Sequence, residues 1–164
     1  MKITIKSIAY NGILAALYVV LTLATYNISY LALQFRVAEL LMLLCFFRKD
    51  SIIGVTIGCF IANLFSFSAW DLLFGTMATI IAGTIMMFSK HLAFAAFMPV
   101  LFNGFIVGFE LWWLLGEPFW ISVLSVSLGE LAVMAVGYIF FMIMKRRKGF
   151  FEAMLLNQNL DFKF

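Results

Sequence analysis

Three glutamates, Glu39, Glu110 and Glu130, stand inside apolar runs of this sequence. Arg36 opens the run that holds Glu39, Asp71 opens another, and Asn63 and Asn103 add amides. Carboxylates accept hydrogen bonds, a guanidinium donates them in a planar fork, and an amide does both. Together they can read a flat ligand edge that carries N–H donors and a carbonyl, or hold an organic cation. A carboxylate surrounded by apolar side chains needs a proton, a cation or a donor. The spacing gathers these groups: Asn103 and Glu110 are seven residues apart on one helical stripe, and Ser127/Glu130 and Arg36/Glu39 are each three apart on a shared face. Plainer roles stay open beside this one. Asp71 also suits a helix N-cap, Arg36 and Glu39 an interfacial ion pair, and Asn63 and Asn103 hydrogen bonds between helices.

The elements that position these groups are set by composition. Of the 164 residues, 65% are hydrophobic and only 12% charged, with a mean hydropathy of +1.10. A soluble domain of this length cannot hide so much apolar surface, so the solvent is lipid. Six apolar segments, 7–26, 36–47, 51–66, 71–89, 92–115 and 120–144, predict an all-α integral membrane protein, a six-transmembrane-helix bundle in one membrane domain over 1–164. The second and third segments are short for a full span and must reach the interfaces by polar ends, thinning or irregular backbone. Arg48, Lys49, Asp50 and Ser51 break them apart. Lys2 and Lys6 precede a segment of spanning length with no small-residue cleavage site, so it reads as a first helix rather than a signal peptide.

Basic residues fall at Lys2/Lys6, Arg48/Lys49, Lys90 and Lys145 to Lys148. With six spans all four groups share one side, which the positive-inside rule makes cytoplasmic, together with both termini. Arg36 is then the sole basic residue on the outside. Trp70, Trp112, Trp113 and Trp120 all fall near outer helix ends, as an interfacial belt or as the wall of a pocket. Glu110 lies roughly 8 Å below the outer surface and Glu130 about 15 Å below it, by helical rise. Nearly every buried polar group thus sits in the outer half. The tail 145–164 begins with a basic cluster and continues with Phe150, Phe151, Met154 and Leu155 at helix-like spacing, an amphipathic segment for the inner membrane surface. Small residues recur along the helices, including Gly12 and Ala16 on the first, and permit close backbone approach.

Several functions lack their residues. There is no phosphate-binding G-x-x-x-x-G-K-[ST] loop, so the chain cannot itself use ATP. The single histidine, His91, lies at the cytoplasmic rim beside Lys90, away from any nucleophile. Cys45 and Cys59 sit in apolar segments without metal-ligand spacing and read as buried thiols. The expectation is no enzyme, no cofactor, no metal and no nucleic acid. A pore is disfavoured because no continuous polar path crosses the chain. What remains is a pocket open to the outside.

The blocks "QFRVAELL", "IGCFIANLFS", "WDLLFGTMATIIAG", "MPVLFNGFIVGFEL" and "SLGELAVMAVG", in that order over residues 7 to 144, resemble the QueT family. Its members are substrate-binding S components of energy-coupling-factor (ECF) importers for queuosine precursors. The resemblance implies a six-helix S-component fold, a transmembrane coupling protein and two cytoplasmic ATPases as partners, and a bacterial cytoplasmic membrane location. It implies docking through a small-residue stripe on helix one, where Gly12, Ala15 and Ala16 stand. The implied ligand is a deazaguanine base with an aminomethyl arm. Glu110 and Glu130 then take the base edge and the amine, in either order. Asn63, Asn103 or Arg36 serves the carbonyl, and Trp70, Trp112 or Trp113 the flat ring. Arg36 and Glu39 would line the entrance and Asp71 fix the closing loop.

Competing readings are an S component for another small metabolite or vitamin, and a membrane accessory protein that binds no ligand. A proton-coupled carrier ranks behind them, for want of polar residues in the inner half.

Overall fold

The computed structural model describes residues 4–29, 35–66, 68–144 and Gly149. The amphipathic tail, apart from Gly149, lies outside them. Helix α1 spans Ile5–Ala24 and is followed by the four-residue α2, Tyr26–Ser29. A 3₁₀ helix, Val37–Leu43, runs directly into α3, Leu44–Phe47. Then come α4 (Ser51–Asn63), α5 (Asp71–Phe88), α6 (Leu92–Leu115) and α7 (Phe119–Met144). Among the described residues there is no strand. The six expected segments are all present, their ends displaced by three residues at most.

Four helices, α1, α5, α6 and α7, are long and apolar enough to cross a membrane; Val37–Phe47 and Ser51–Asn63 are shorter. Large apolar side chains such as Ile13, Leu124 and Ile139 are exposed on the long helices. In water this would be a liability, and in lipid it is the solvated surface.

The shortness of Val37–Phe47 has a physical resolution. Ala38, Glu39, Leu41, Met42 and Leu43 are buried, as is every residue of α3. The segment is wrapped by α1, α4, α5, α6 and α7 and forms the axis of the bundle. A 3₁₀ helix rises ~2.0 Å per residue against ~1.5 Å for an α-helix, so it stretches a short segment further. Irregular backbone at membrane depth is tolerated when protein rather than lipid surrounds it. At α4 the helix closes instead with i→i+3 bonds, Leu64 N to Ile61 O (3.2 Å) and Phe65 N to Ala62 O (3.0 Å), ending three residues before the expected boundary.

Helices α1 and α4 pack at backbone contact. A Cβ on Gly58 would stand 2.9 Å from the Ala15 carbonyl oxygen and 2.7 Å from the Tyr18 Cβ, so only glycine lets the two helices meet there. Ala15 consequently faces inward, while Gly12 and Ala16 stay exposed on the outer face of α1.

The two ends of the bundle differ in chemistry. At one end the start of α1 is tied to the α3–α4 turn. Ser7 Oγ donates to Asp50 Oδ2, Arg48 donates twice to the Asp50 carboxylate at 2.6 and 2.8 Å, and the Arg48 guanidinium lies 3.9 Å from the Tyr10 ring centroid. Lys49 Nζ sits 5.3 Å from the Phe88 ring, bringing the end of α5, and Lys90 just beyond it, to the same end. At the other end, rings follow one another from Trp120 through Phe119, Trp112, Phe109 and Trp113 to Trp70, with centroid separations of 5.0 to 6.3 Å. Arg48, Lys49 and Lys90 thus lie at the end opposite the tryptophans.

Candidate functional site

The buried charges meet between the axial segment and the helices around it. Arg36 immediately precedes the 3₁₀ helix, and Glu39 is in its first turn. In a 3₁₀ helix residues i and i+3 eclipse, which stacks the two side chains and brings Arg36 Nη1 to 3.8 Å from Glu39 Oε1. Both are buried, Arg36 at 6% and Glu39 at 2% exposure. Tyr18, from α1, donates its hydroxyl to Glu39 Oε1 at 2.5 Å.

From the opposite side come α6 and α7. Ser127 on α7 donates to the Val100 carbonyl of α6 at 3.4 Å, which turns the Ser127/Glu130 face towards α6. The Asn103 amide shares the wall of one cavity with the Glu39 and Glu130 carboxylates. Arg36, Glu39, Gly75, Asn103, Val107 and Glu130 line one small cavity of about 10 Å³, room for the centre of roughly one water. Oε2 of Glu39 and Oε1 of Glu130 are buried with no hydrogen-bond partner among the described residues.

Gly75 forms the floor. A Cβ there would lie 2.8 Å from Asn63 Nδ2 and 3.9 Å from Arg36 Nη1, so the backbone of α5 is pressed against both. The Asn63 amide donates to the Asp71 carbonyl at 3.0 Å and reaches Cys59 Sγ at 3.4 Å, and Thr79 also donates to that sulfur, at 3.2 Å. Both thiols are buried in the hydrophobic core, and Cys59 in addition meets the polar groups of Asn63 and Thr79.

Glu110 occupies an adjoining corner. It is 1% exposed and accepts a long hydrogen bond from Ser68 Oγ at 3.5 Å; its Oε2 has no partner among the described residues. Asp71 is the first residue of α5, with Trp70 in the cap position and no side-chain capping bond. Asp71 is thus the first helical residue rather than the N-cap.

The structure brings together Arg36, Glu39, Asn103 and Glu130, with Asn63, Asp71 and Glu110 beside them. Arg36 and Glu39, expected at the entrance, are in the cavity wall, since the axial helix carries them into the bundle. Trp70, Trp112 and Trp113 are about half exposed and do not line this cavity. Of the expected docking residues, Gly12 and Ala16 are on the surface and Ala15 is not. Sequence reasoning missed Tyr18, Ser68 and Gly75. Only the glycine left a signal, as one of the small residues of α5.

What these features define is a multi-pass helical membrane protein that keeps a charged, hydrogen-bonding cavity among its helices, the arrangement expected of a solute transporter. More particularly, the chain belongs to the QueT transporter family, whose model matches residues 8–146. It is 35% identical over 144 residues to the queuosine precursor transporter QueT of Lactococcus lactis subsp. cremoris (strain MG1363), a match covering 77% of this chain and 84% of that protein. No solved structure matches the chain at a significant level. Its role is membrane transport, and its location a bacterial membrane that it crosses several times.

Proposed function

We propose that this chain is the substrate-binding S component of an energy-coupling-factor importer, and that it captures a queuosine precursor of the aminomethyl-deazaguanine class from outside for ATP-driven uptake. The observation that carries this reading is the enclosed cluster of Arg36, Glu39, Asn103 and Glu130 in a chain of the QueT transporter family. A guanine-like edge offers adjacent N–H donors and a carbonyl. The carboxylates accept the former, and the guanidinium or the Asn103 amide donates to the latter. One guanidinium facing two carboxylates leaves the cluster short of positive charge, which suits a ligand with an ammonium arm. The name of the Lactococcus relative points the same way.

In this reading the basic end of the bundle and both termini face the cytoplasm, and the tryptophan end faces out. A cavity with room for about one water admits a bicyclic base only when its walls part, so capture includes an opening at the outer end. Ligand release depends on a transmembrane coupling protein and two cytoplasmic ATPases. The chain itself performs no covalent chemistry. Gly12 and Ala16, exposed on α1, form the surface that meets the coupling protein.

Calorimetric titration of the detergent-purified chain with aminomethyl-deazaguanine, with guanine and a vitamin as controls, tests the reading. Tight binding of the first alone supports it. A folded sample that binds none of the three overturns the capture function.

A further inference from the structure

Resting on that reading, we infer that the site is two-ended: the corner formed by Glu110, Asp71 and Asn63 holds the ligand's ammonium arm, and the Arg36–Glu39–Asn103–Glu130 cavity holds the edge of the base.

Charge separates the two ends. Glu39 has a guanidinium 3.8 Å away, and Arg36 and Glu130 line the same cavity. A second cation placed there would meet Arg36, whereas a carbonyl with flanking N–H groups finds a donor and acceptors side by side. Glu110 makes no ion pair among the described residues, and its hydrogen bond from Ser68 is a long one of 3.5 Å. A buried carboxylate in that state is stabilised by a cation beside it.

The corner also offers acceptors that point to such an occupant. Glu110 Oε2 is buried and unpartnered among the described residues, and so is Oδ1 of Asn63, itself 2% exposed. Asn63 belongs to the same corner through its bond to the Asp71 carbonyl, 3.0 Å long. An ammonium has three N–H donors and no acceptor. Glu110, Asp71 and Asn63 supply three acceptors.

The separation fits as well. Asn103, Val107 and Glu110 follow one stripe of α6, and Val107 lines the cavity between the two ends. Seven residues of helix span about 10 Å, comparable to a bicyclic base extended by one methylene and its amine. Ser68, bonded to Glu110 from the α4–α5 connection, places that connection over the arm's end.

The experiment measures affinities of two bases that differ only in the arm, aminomethyl-deazaguanine and cyano-deazaguanine, for the full chain in detergent. The wild type is expected to favour the amine by about tenfold or more, the scale of a buried charge-assisted contact. Glu110→Gln and Asp71→Asn are expected to bring that ratio towards one. Glu130→Gln is expected to weaken both bases while preserving the ratio. Two variants at the arm's end keep the test decisive if one fails to fold. A ratio near one in the wild type, a ratio unchanged in both arm-end variants, or a ratio that collapses in Glu130→Gln overturns the assignment while leaving base capture standing. Binding of neither base by folded wild type overturns capture and the assignment together.

Discussion

The Tyr18 hydroxyl, on α1, donates to Oε1 of Glu39 on the axial 3₁₀ helix, 2.5 Å away. Tyr18 is fully buried, while Ala16, Leu17 and Val20 on the other face of α1 are exposed. One helix therefore presents its outer surface to the membrane and holds a carboxylate of the cavity with its inner one. With Oε1 taken by Tyr18 and approached by Arg36, Oε2 of Glu39 has no hydrogen-bond partner among the described residues.

Tyr18→Phe removes that donor and nothing else of similar size. A hydrogen bond to a charged group contributes about 1.5–3 kcal/mol, so base affinity is expected to fall roughly tenfold or more. Circular dichroism should show the helical content retained. Affinity within twofold of wild type would mean that Tyr18 does not position Glu39.

Arg36→Ala leaves Glu39 buried without its cation. Breaking a buried pair from one side costs about 3–5 kcal/mol, read as a lowered thermal midpoint in detergent. Arg36→Gln combined with Glu39→Gln should recover part of the loss, because the orphaned charge goes with its partner. No recovery in the double variant would show that Arg36 stabilises the fold through other contacts.

These residues were legible in the sequence to different degrees, for physical reasons. Glu39, Asn103, Glu110 and Glu130 stand out because a polar group within an apolar run must find a partner. Helix boundaries near Arg48–Ser51 and at Asp71 follow from charge and length. The 3₁₀ form of Val37–Leu43 did not show, because a run whose single polar residue is Glu39 carries no phase by which periods of 3.0 and 3.6 can be told apart. That geometry moved Arg36 and Glu39 from the expected rim to the cavity wall. Tyr18 escaped notice because a tyrosine costs little in such a segment, and its partner depends on how α1 is rotated. Ala15 looked equivalent to Gly12 and Ala16 in the sequence, and only the contact with Gly58 turns it inward.

Gly58→Ala tests the contact between α1 and α4. The new methyl group would collide with the Ala15 carbonyl and Tyr18 Cβ, neither of which yields without backbone movement. Overpacking of this kind costs about 1–3 kcal/mol. The thermal midpoint should fall, and because Tyr18 moves with α1, affinity should fall with it. A variant as stable as wild type would show that α1 is free to stand further out.

Trp113→Leu separates a belt from a binding wall. Trp113 is 55% exposed and packs edge-on to Trp70 rather than into the cavity. Base affinity should stay within about twofold of wild type, since no side chain lining the cavity is altered. A tenfold loss would mean that the opened, ligand-bound state draws this ring inward.

The basic end carries a pH dependence of its own. Burial alone would raise the Asp50 carboxyl, but hydrogen bonds from Arg48 and Ser7, with the charge of Arg48, outweigh it and hold the group below its ordinary value of 3.8. A carboxylate depressed on folding adds stability that is fully present above its unfolded pKa and is lost as pH falls through the folded one. The contribution is thus intact at neutral pH and fades only below about pH 4. Asp50→Asn should melt below wild type at pH 7, and the gap should close as both are acidified. A gap that persists unchanged at pH 3 would assign the loss to packing at the α1 and α3–α4 junction rather than to the charge on Asp50.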